Sequence, residues 1–174
     1  MAFEPDDRFF PILSTDTQHS DDAIRLSAAK AMHVWLSQRR TREMKQQLKD
    51  SNPKIRSVGL GTLTIHNHGP GLIVNVLADV DAGIRVDMLN RLQYEFTLRP
   101  QILTGRQGKE VMRIVFTMLE DKSPDVRLAT LRLLRQLDRD VCLKHLAGMK
   151  NDPDENVRML VKAMLEPKNA RSRW

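Results

Sequence analysis

Apolar residues recur at helical spacing along this chain in five runs, each opened by an Ile-Arg or Val-Arg pair: Ile24-Arg25, Ile55-Arg56, Ile84-Arg85, Val126-Arg127 and Val157-Arg158. Counted from the arginine, offsets +3, +4 and +7 fall on one side of a helix and pack inward, whereas +2, +5 and +9 lie nearly opposite at about 100° per residue. Position +7 is apolar in every run, as Met32, Leu63, Leu92, Leu134 and Leu165. Local chemistry marks where helices begin. Asn52-Pro53 and Ser123-Pro124 place a side-chain acceptor at an N-cap and a proline at the first helical position. Asp125, Asp154 and Glu155 fall in first turns, where unpaired backbone amides favour negative charge. The pattern predicts antiparallel helix pairs over 37–49 with 53–66, 71–79 with 82–96, 109–120 with 124–137 and 139–150 with 153–166. A first unit is represented by its second helix, 21–36, and the mixed segment before it reads as an irregular cap with a short apolar piece at Phe9, Phe10, Ile12 and Leu13.

The spacing of the arginines identifies a stacked repeat. Arg25 to Arg56 is 31 residues, Arg56 to Arg85 is 29, Arg85 to Arg127 is 42 and Arg127 to Arg158 is 31, so an insertion falls in the third interval. Six residues before the arginine stands an aspartate in four units, Asp50, Asp79, Asp121 and Asp152, with His19 in the first.

The segments Leu48-Lys49-Asp50-Ser51-Asn52-Pro53-Lys54-Ile55-Arg56 and Leu119-Glu120-Asp121-Lys122-Ser123-Pro124-Asp125-Val126-Arg127 resemble the HEAT-repeat family. The resemblance spans roughly residues 20–166 and implies an all-α fold, a right-handed α-solenoid of about five antiparallel helix pairs. It also implies a ladder in which Asp50, Arg56, Asp79, Arg85, Asp121, Arg127, Asp152 and Arg158 join neighbouring turns, with His19 leaving the first unit's place in question. A partly buried arginine bonded to aspartates and turn carbonyls is a structural device, since removing one partner strands the other. The expected organisation is an N-terminal cap at 1–19, a repeat domain at 20–166 and a basic tail at 167–174 containing Lys168, Arg171 and Arg173.

The outward column of the second helices reads Ser27, Lys30 and Val34, then Val58, Gly61 and Ile65, then Asp87, Asn90 and Tyr94, then Ala129, Arg132 and Gln136. An apolar strip at Val58, Gly61 and Ile65, where an exposed helix should be polar, points to contact, whether with a partner or with another part of the chain. Tyr94 and Arg132 are of the types enriched at binding hot spots. The candidate partner-binding set is therefore Lys30, Val58, Gly61, Ile65, Asn90, Tyr94, Arg132 and Gln136. The insertion, residues 97–108, brings Arg99, Arg106 and nearby Lys109 within reach of a partner, or else folds back onto the stack.

Charge narrows the partner class. The formal net charge is +6, which favours acidic proteins or nucleic acid at long range. Arg39, Arg40, Arg42, Lys45 and Lys49 cluster, a pattern that also describes an ordinary solvated helix face. The first expectation is a noncatalytic scaffold or adaptor that holds a protein segment of acidic character. The alternative is nucleic-acid binding, as in the architecturally similar AlkD-like DNA glycosylases, although Asp87 and the valine-isoleucine strip interrupt a basic track. Bilin lyases built on HEAT-like repeats rank last, because nothing singles out a pigment site. No stretch approaches the ~20 apolar residues of a membrane span, and residues 1–7 lack the basic and apolar regions of a signal peptide. The single cysteine, Cys142, suits a reducing compartment, so the expected location is cytoplasmic.

Motifs for other chemistry are set aside. Gly105-Arg106-Gln107-Gly108 matches the GXXG loop of KH domains but lies within a helical series. A phosphate-binding P-loop fails because Leu103 and Glu110 occupy positions that need glycine and Ser or Thr. His66 and His68 lack a third metal ligand, His33 and His145 stand alone, and Cys142 has no activating neighbour in sequence. No cofactor, metal or catalytic constellation is expected, and the oligomeric state stays open.

Overall fold

The structure is a computed structural model that describes residues 7–36, 41–137 and 139–166. The expected basic tail at 167–174, the start of the cap at 1–6, and Arg39 and Arg40 lie outside the described residues, as does the side chain of Val34. Among the described residues every regular element is a helix. The chain divides into two compact units, 1–76 and 77–174.

The first unit begins with a helix the sequence pattern had left irregular. A 3-10 turn over Asp7–Phe9 leads into α1 (Phe10–Asp16), with Pro11 in its first turn, where proline's missing N–H costs nothing. It packs against α2 (Asp22–Leu36), giving the first hairpin both of its helices. Next come α3 (Thr41–Gln47) and α4 (Pro53–Leu60), which pair with each other while α2 packs on α4. The inward offsets hold here: Ala28, Ala29, Met32, Leu60 and Leu63 are buried. Asn52 caps α4 through Oδ1, which accepts the Lys54 N–H at 2.9 Å.

The predicted 53–66 helix breaks early. Helix α4 ends at Leu60, and a separate short helix, α5 (Ile65–His68), begins after Thr64, whose hydroxyl accepts the Asn67 N–H. The cause is local: Gly61 and Thr62 are weak helix formers, and Thr64 competes as an N-cap. Ile65 thereby becomes the first residue of α5 and is only 1% exposed, so it does not stand in an outward column. Gly69 closes α5 at φ +76°, the left-handed region glycine tolerates, and Pro70 opens α6 (Pro70–Leu77).

In the second unit α7 (Ala82–Leu98) packs on α9 (Pro124–Leu134), and α9 packs on α11 (Glu155–Leu165), so second helices lie side by side. The first helices are α8 (Arg106–Thr117) and α10 (Arg139–Leu146). Leu89, Leu92, Phe96, Val115, Leu131, Leu134, Val157 and Val161 form the buried interior. Asp81 and Asp154 cap α7 and α11, accepting the Ile84 and Val157 N–H groups at 3.2 and 3.1 Å. Ser123 fills the N-cap position of α9 with extended backbone, yet its side chain accepts no capping bond, contrary to expectation.

The 97–108 insertion folds back. A 3-10 turn over Pro100–Thr104 packs on both α7 and α8. Gly108 is buried there, and a Cβ on it would fall 2.1 Å from the Ile102 carbonyl oxygen. The GXXG sequence is thus a close-packing device in which only hydrogen fits between α8 and the turn before it.

Candidate functional site

Each repeat turn builds the same small electrostatic assembly. The residue six before the arginine accepts the N–H two residues onward: Asp50 from Asn52 at 2.8 Å, Asp79 from Asp81 at 2.8 Å, Asp121 from Ser123 at 2.8 Å and Asp152 from Asp154 at 2.9 Å. In the first turn His19 Nδ1 does this in place of a carboxylate, accepting from the Asp21 N–H at 3.0 Å. The arginine then donates Nη1–H back to the carbonyls of its own turn. Arg25 reaches His19 and Ser20, Arg56 reaches Asp50 and Ser51, Arg85 reaches Asp79 and Val80, Arg127 reaches Asp121 and Lys122, and Arg158 reaches Asp152 and Pro153.

The other edge of the guanidinium points to the following hairpin. Arg25 donates Nε–H and Nη2–H to Asp50 at 3.0 and 3.2 Å, Arg85 to Asp121 at 2.8 and 2.7 Å, and Arg127 to Asp152 at 2.8 and 2.7 Å. Such bidentate pairs combine charge with fixed geometry. The register also accounts for His19. Asp50, Asp121 and Asp152 each serve both their own turn and a preceding arginine, whereas among the described residues no arginine bonds His19, which serves as the local acceptor. Arg25 joins the ladder regardless.

The carboxyls respond to two opposed forces. Burial alone would raise Asp50, Asp121 and Asp152, but the arginine hydrogen bond, a backbone N–H and the nearby positive charge together hold each below the ordinary carboxylate value. Arg127 is raised in turn, chiefly by its hydrogen bond to Asp152 and against the effect of burial. These groups are locked in ionised form and occupied with one another. The arrangement offers neither a proton-transfer pair nor a free nucleophile.

The second-helix face is only partly as the sequence spacing placed it. At the +5 and +9 positions Lys30, Asn90, Arg132 and Gln136 are exposed, and Tyr94 is 66% exposed. At +2, Ser27 and Asp87 are exposed while Ala129 is buried, because neighbouring second helices pack flank to flank there. Val58 and Gly61 are half-buried, and a Cβ on Gly61 would meet the His33 ring at 2.9 Å. The expected apolar strip of Val58, Gly61 and Ile65 is therefore packing rather than open surface. In the second unit Gln136 Nε2–H donates to Thr97 Oγ1 at 2.8 Å, tying the ends of α9 and α7 together one turn beyond Arg132 and Tyr94. Leu98, also on α7, is 61% exposed, a residue the column reading missed because +13 lies beyond the span it considered.

The remaining chemistry-bearing residues have local roles. His68 Nδ1 accepts the Thr64 N–H at 3.2 Å, His145 stacks on Phe116 with ring centroids 4.2 Å apart, and buried Cys142 donates Sγ–H to the Leu134 carbonyl. Among the described residues no group of three or more metal-ligating side chains comes together, and no helix is long and apolar enough to cross a membrane.

These features define an all-α helical-repeat protein. The HEAT repeat family model matches residues 111–140, the stretch that contains Asp121 and Arg127. No curated protein matches the sequence. Among solved structures, the crystal structure of Cex1p is similar at a TM-score of 0.64 and 20% identity, covering 90% of this chain. The match takes in 34% of that chain, about a third of its length. A designed armadillo repeat protein in complex with the peptide (KR)4 is similar at a TM-score of 0.54 and 11% identity, covering 91% of this chain and 83% of that one. At these identities the likeness is one of fold.

Proposed function

We propose that this protein is a noncatalytic cytoplasmic scaffold that holds a segment of a partner protein against the outward face of its second helices. The observation that carries the reading is Tyr94, an aromatic 66% exposed towards the C-terminal end of α7 beside exposed Asn90, with Arg132 on the adjoining helix and Gln136 in the turn after it. Tyrosine and arginine dominate binding energy where they occur at interfaces. The Gln136–Thr97 bond holds the two helix ends in register, which lowers the ordering cost of association. Lys30 is exposed at the equivalent repeat position of the first hairpin, in the other unit. The similar designed armadillo protein binds a basic peptide; the +6 net charge of this chain favours the opposite, an acidic segment. Asp87 on the same face argues against a continuous phosphate-binding track. The buried thiol of Cys142 agrees with a reducing compartment.

The test is quantitative co-purification from the native host with wild-type chain, Tyr94→Ala and Arg132→Glu, alongside a salt titration of binding to duplex DNA. A protein retained by wild type and lost with both variants supports the reading. Equal retention by both variants refutes this face, and DNA affinity that falls steeply with salt replaces the protein partner with a nucleic acid.

A further inference from the structure

Gln47 is polar at a position that the three hairpins after it keep apolar. Nine residues before the ladder arginine these have Val76, Met118 and Met149, of which Val76 and Met149 are buried and Met118 is half-covered. The same register puts Gln47 at the end of α3, where it is 2% exposed. Among the described residues neither Nε2 nor Oε1 of its side chain has a hydrogen-bond partner. A glutamine amide carries two donor hydrogens and an accepting oxygen, and folded proteins rarely bury such a group without a protein or water partner.

The residue across the seam is equally distinctive. Three residues after the arginine the other hairpins place a buried side chain, Ala28, Met88, Thr130 or Val161, whereas the second has Gly59. A Cβ on Gly59 would fall 3.0 Å from the Gln47 Cβ and 3.2 Å from the Met44 carbonyl oxygen, so glycine lets α4 lie directly against α3. With no side chain there, it is the backbone of α4 that faces Gln47. That backbone offers an acceptor. Helix α4 stops at Leu60 and the Leu63 N–H turns back to the Leu60 carbonyl at 2.9 Å, which leaves the Gly59 carbonyl oxygen with the Thr62 hydroxyl at 3.3 Å.

We infer that the α3–α4 seam is a built site for internal water, which accepts from Gln47 Nε2, donates to Oε1 and bridges the amide to the Gly59 carbonyl. Water both donates and accepts, so it satisfies the two ends of an amide and a backbone oxygen together. The repeat supplies apolar side chains at both positions elsewhere; here a polar side chain and a bare backbone occur as a pair. The site lies in the first unit and uses none of Asn90, Tyr94, Arg132 and Gln136, so it stands or falls apart from the proposed partner face.

The test joins a crystal structure of the full chain to thermal unfolding of Gln47→Met, which installs the residue that the repeat has at 118 and 149. The crystal should show ordered water within hydrogen-bond distance of the Gln47 amide. In solution the Gln47 side-chain NH2, assigned by its loss in Gln47→Met, should show cross-relaxation with water. The substitution should lower Tm by at least about 2 °C, because methionine expels the water and leaves the Gly59 carbonyl short of a donor. A Tm at or above that of wild type overturns the inference, since the amide was then dry and its removal a gain. A crystal in which Gln47 is dry, or hydrogen-bonded directly to protein groups, overturns it as well.

Discussion

Arg127→Ala and Arg158→Ala remove the same side chain from the same position of the repeat, yet the two should differ sharply. Arg127 and Asp152 are 9% and 7% exposed, and the guanidinium makes two bonds to the carboxylate and two to turn carbonyls. Its removal leaves Asp152 charged and shielded from water, with the Asp154 N–H still donating to it. Breaking a buried pair from one side costs about 3–5 kcal/mol, and partial access of water puts this site at the low end, near ~3 kcal/mol. For a chain of this size that is a fall in Tm of about 6–12 °C if unfolding is two-state. Arg158 is exposed and gives up only its two carbonyl bonds, so Arg158→Ala should cost no more than about 1 kcal/mol and a few degrees. Differential scanning calorimetry of the three proteins side by side provides the comparison. Equal losses, or a larger loss for Arg158→Ala, would refute the reasoning, because the positions would then differ in nothing that the next hairpin provides.

Gly108→Ala should destabilise by about 1–3 kcal/mol, since its Cβ must displace the Ile102 backbone, while Gly148→Ala, with open space around it, should be near neutral; urea denaturation separates them. Acidification supplies a third test. The folded-state pKa values of Asp50, Asp121 and Asp152 lie below those of unfolded carboxyls, so their contribution is complete above about pH 5 and disappears as pH falls through the folded values. Stability measured from pH 6 to 3 should drop, and an Asp121→Asn/Asp152→Asn variant should start lower and drop less; an unchanged slope would count against the ladder. Leu92→Ala, at a fully buried inward position, should cost about 2–5 kcal/mol in the same denaturation assay.

Much of this architecture was legible in the sequence because it repeats. The offsets of Asp50, Asp121 and Asp152 from their arginines recur from turn to turn, and the inward positions headed by Met32, Leu63 and Leu134 follow from helical geometry, with which the buried positions agree. The direction of the ladder was not legible. Spacing ties Asp121 to Arg127, six residues on, yet the carboxylate is gripped by Arg85 from the preceding hairpin, which only the stacking of helices decides. That same fact explains why His19 is no defect. Helix α1 was hidden because Phe9, Phe10, Ile12 and Leu13 are too few to show a period. Ile65 was misplaced because one periodic run was read through Gly61 and Thr62, where local turn chemistry ends the helix. Tyr94 and Arg132 are exposed on the unbroken helices α7 and α9, whereas Ala129 is buried, because one helix's geometry does not reveal which flank its neighbour covers.

The most direct measurement is a pair of double-mutant cycles by urea denaturation, Arg127→Ala with Asp152→Ala and Arg127→Ala with Asp121→Ala. If each arginine fastens its hairpin to the next, residues 127 and 152 should couple by at least about 1.5 kcal/mol, while 127 and 121 should couple by less than about 0.5 kcal/mol. Strong coupling of Arg127 to Asp121, with little to Asp152, would show that the arginine serves only its own turn and would contradict a stack held together by its ladder.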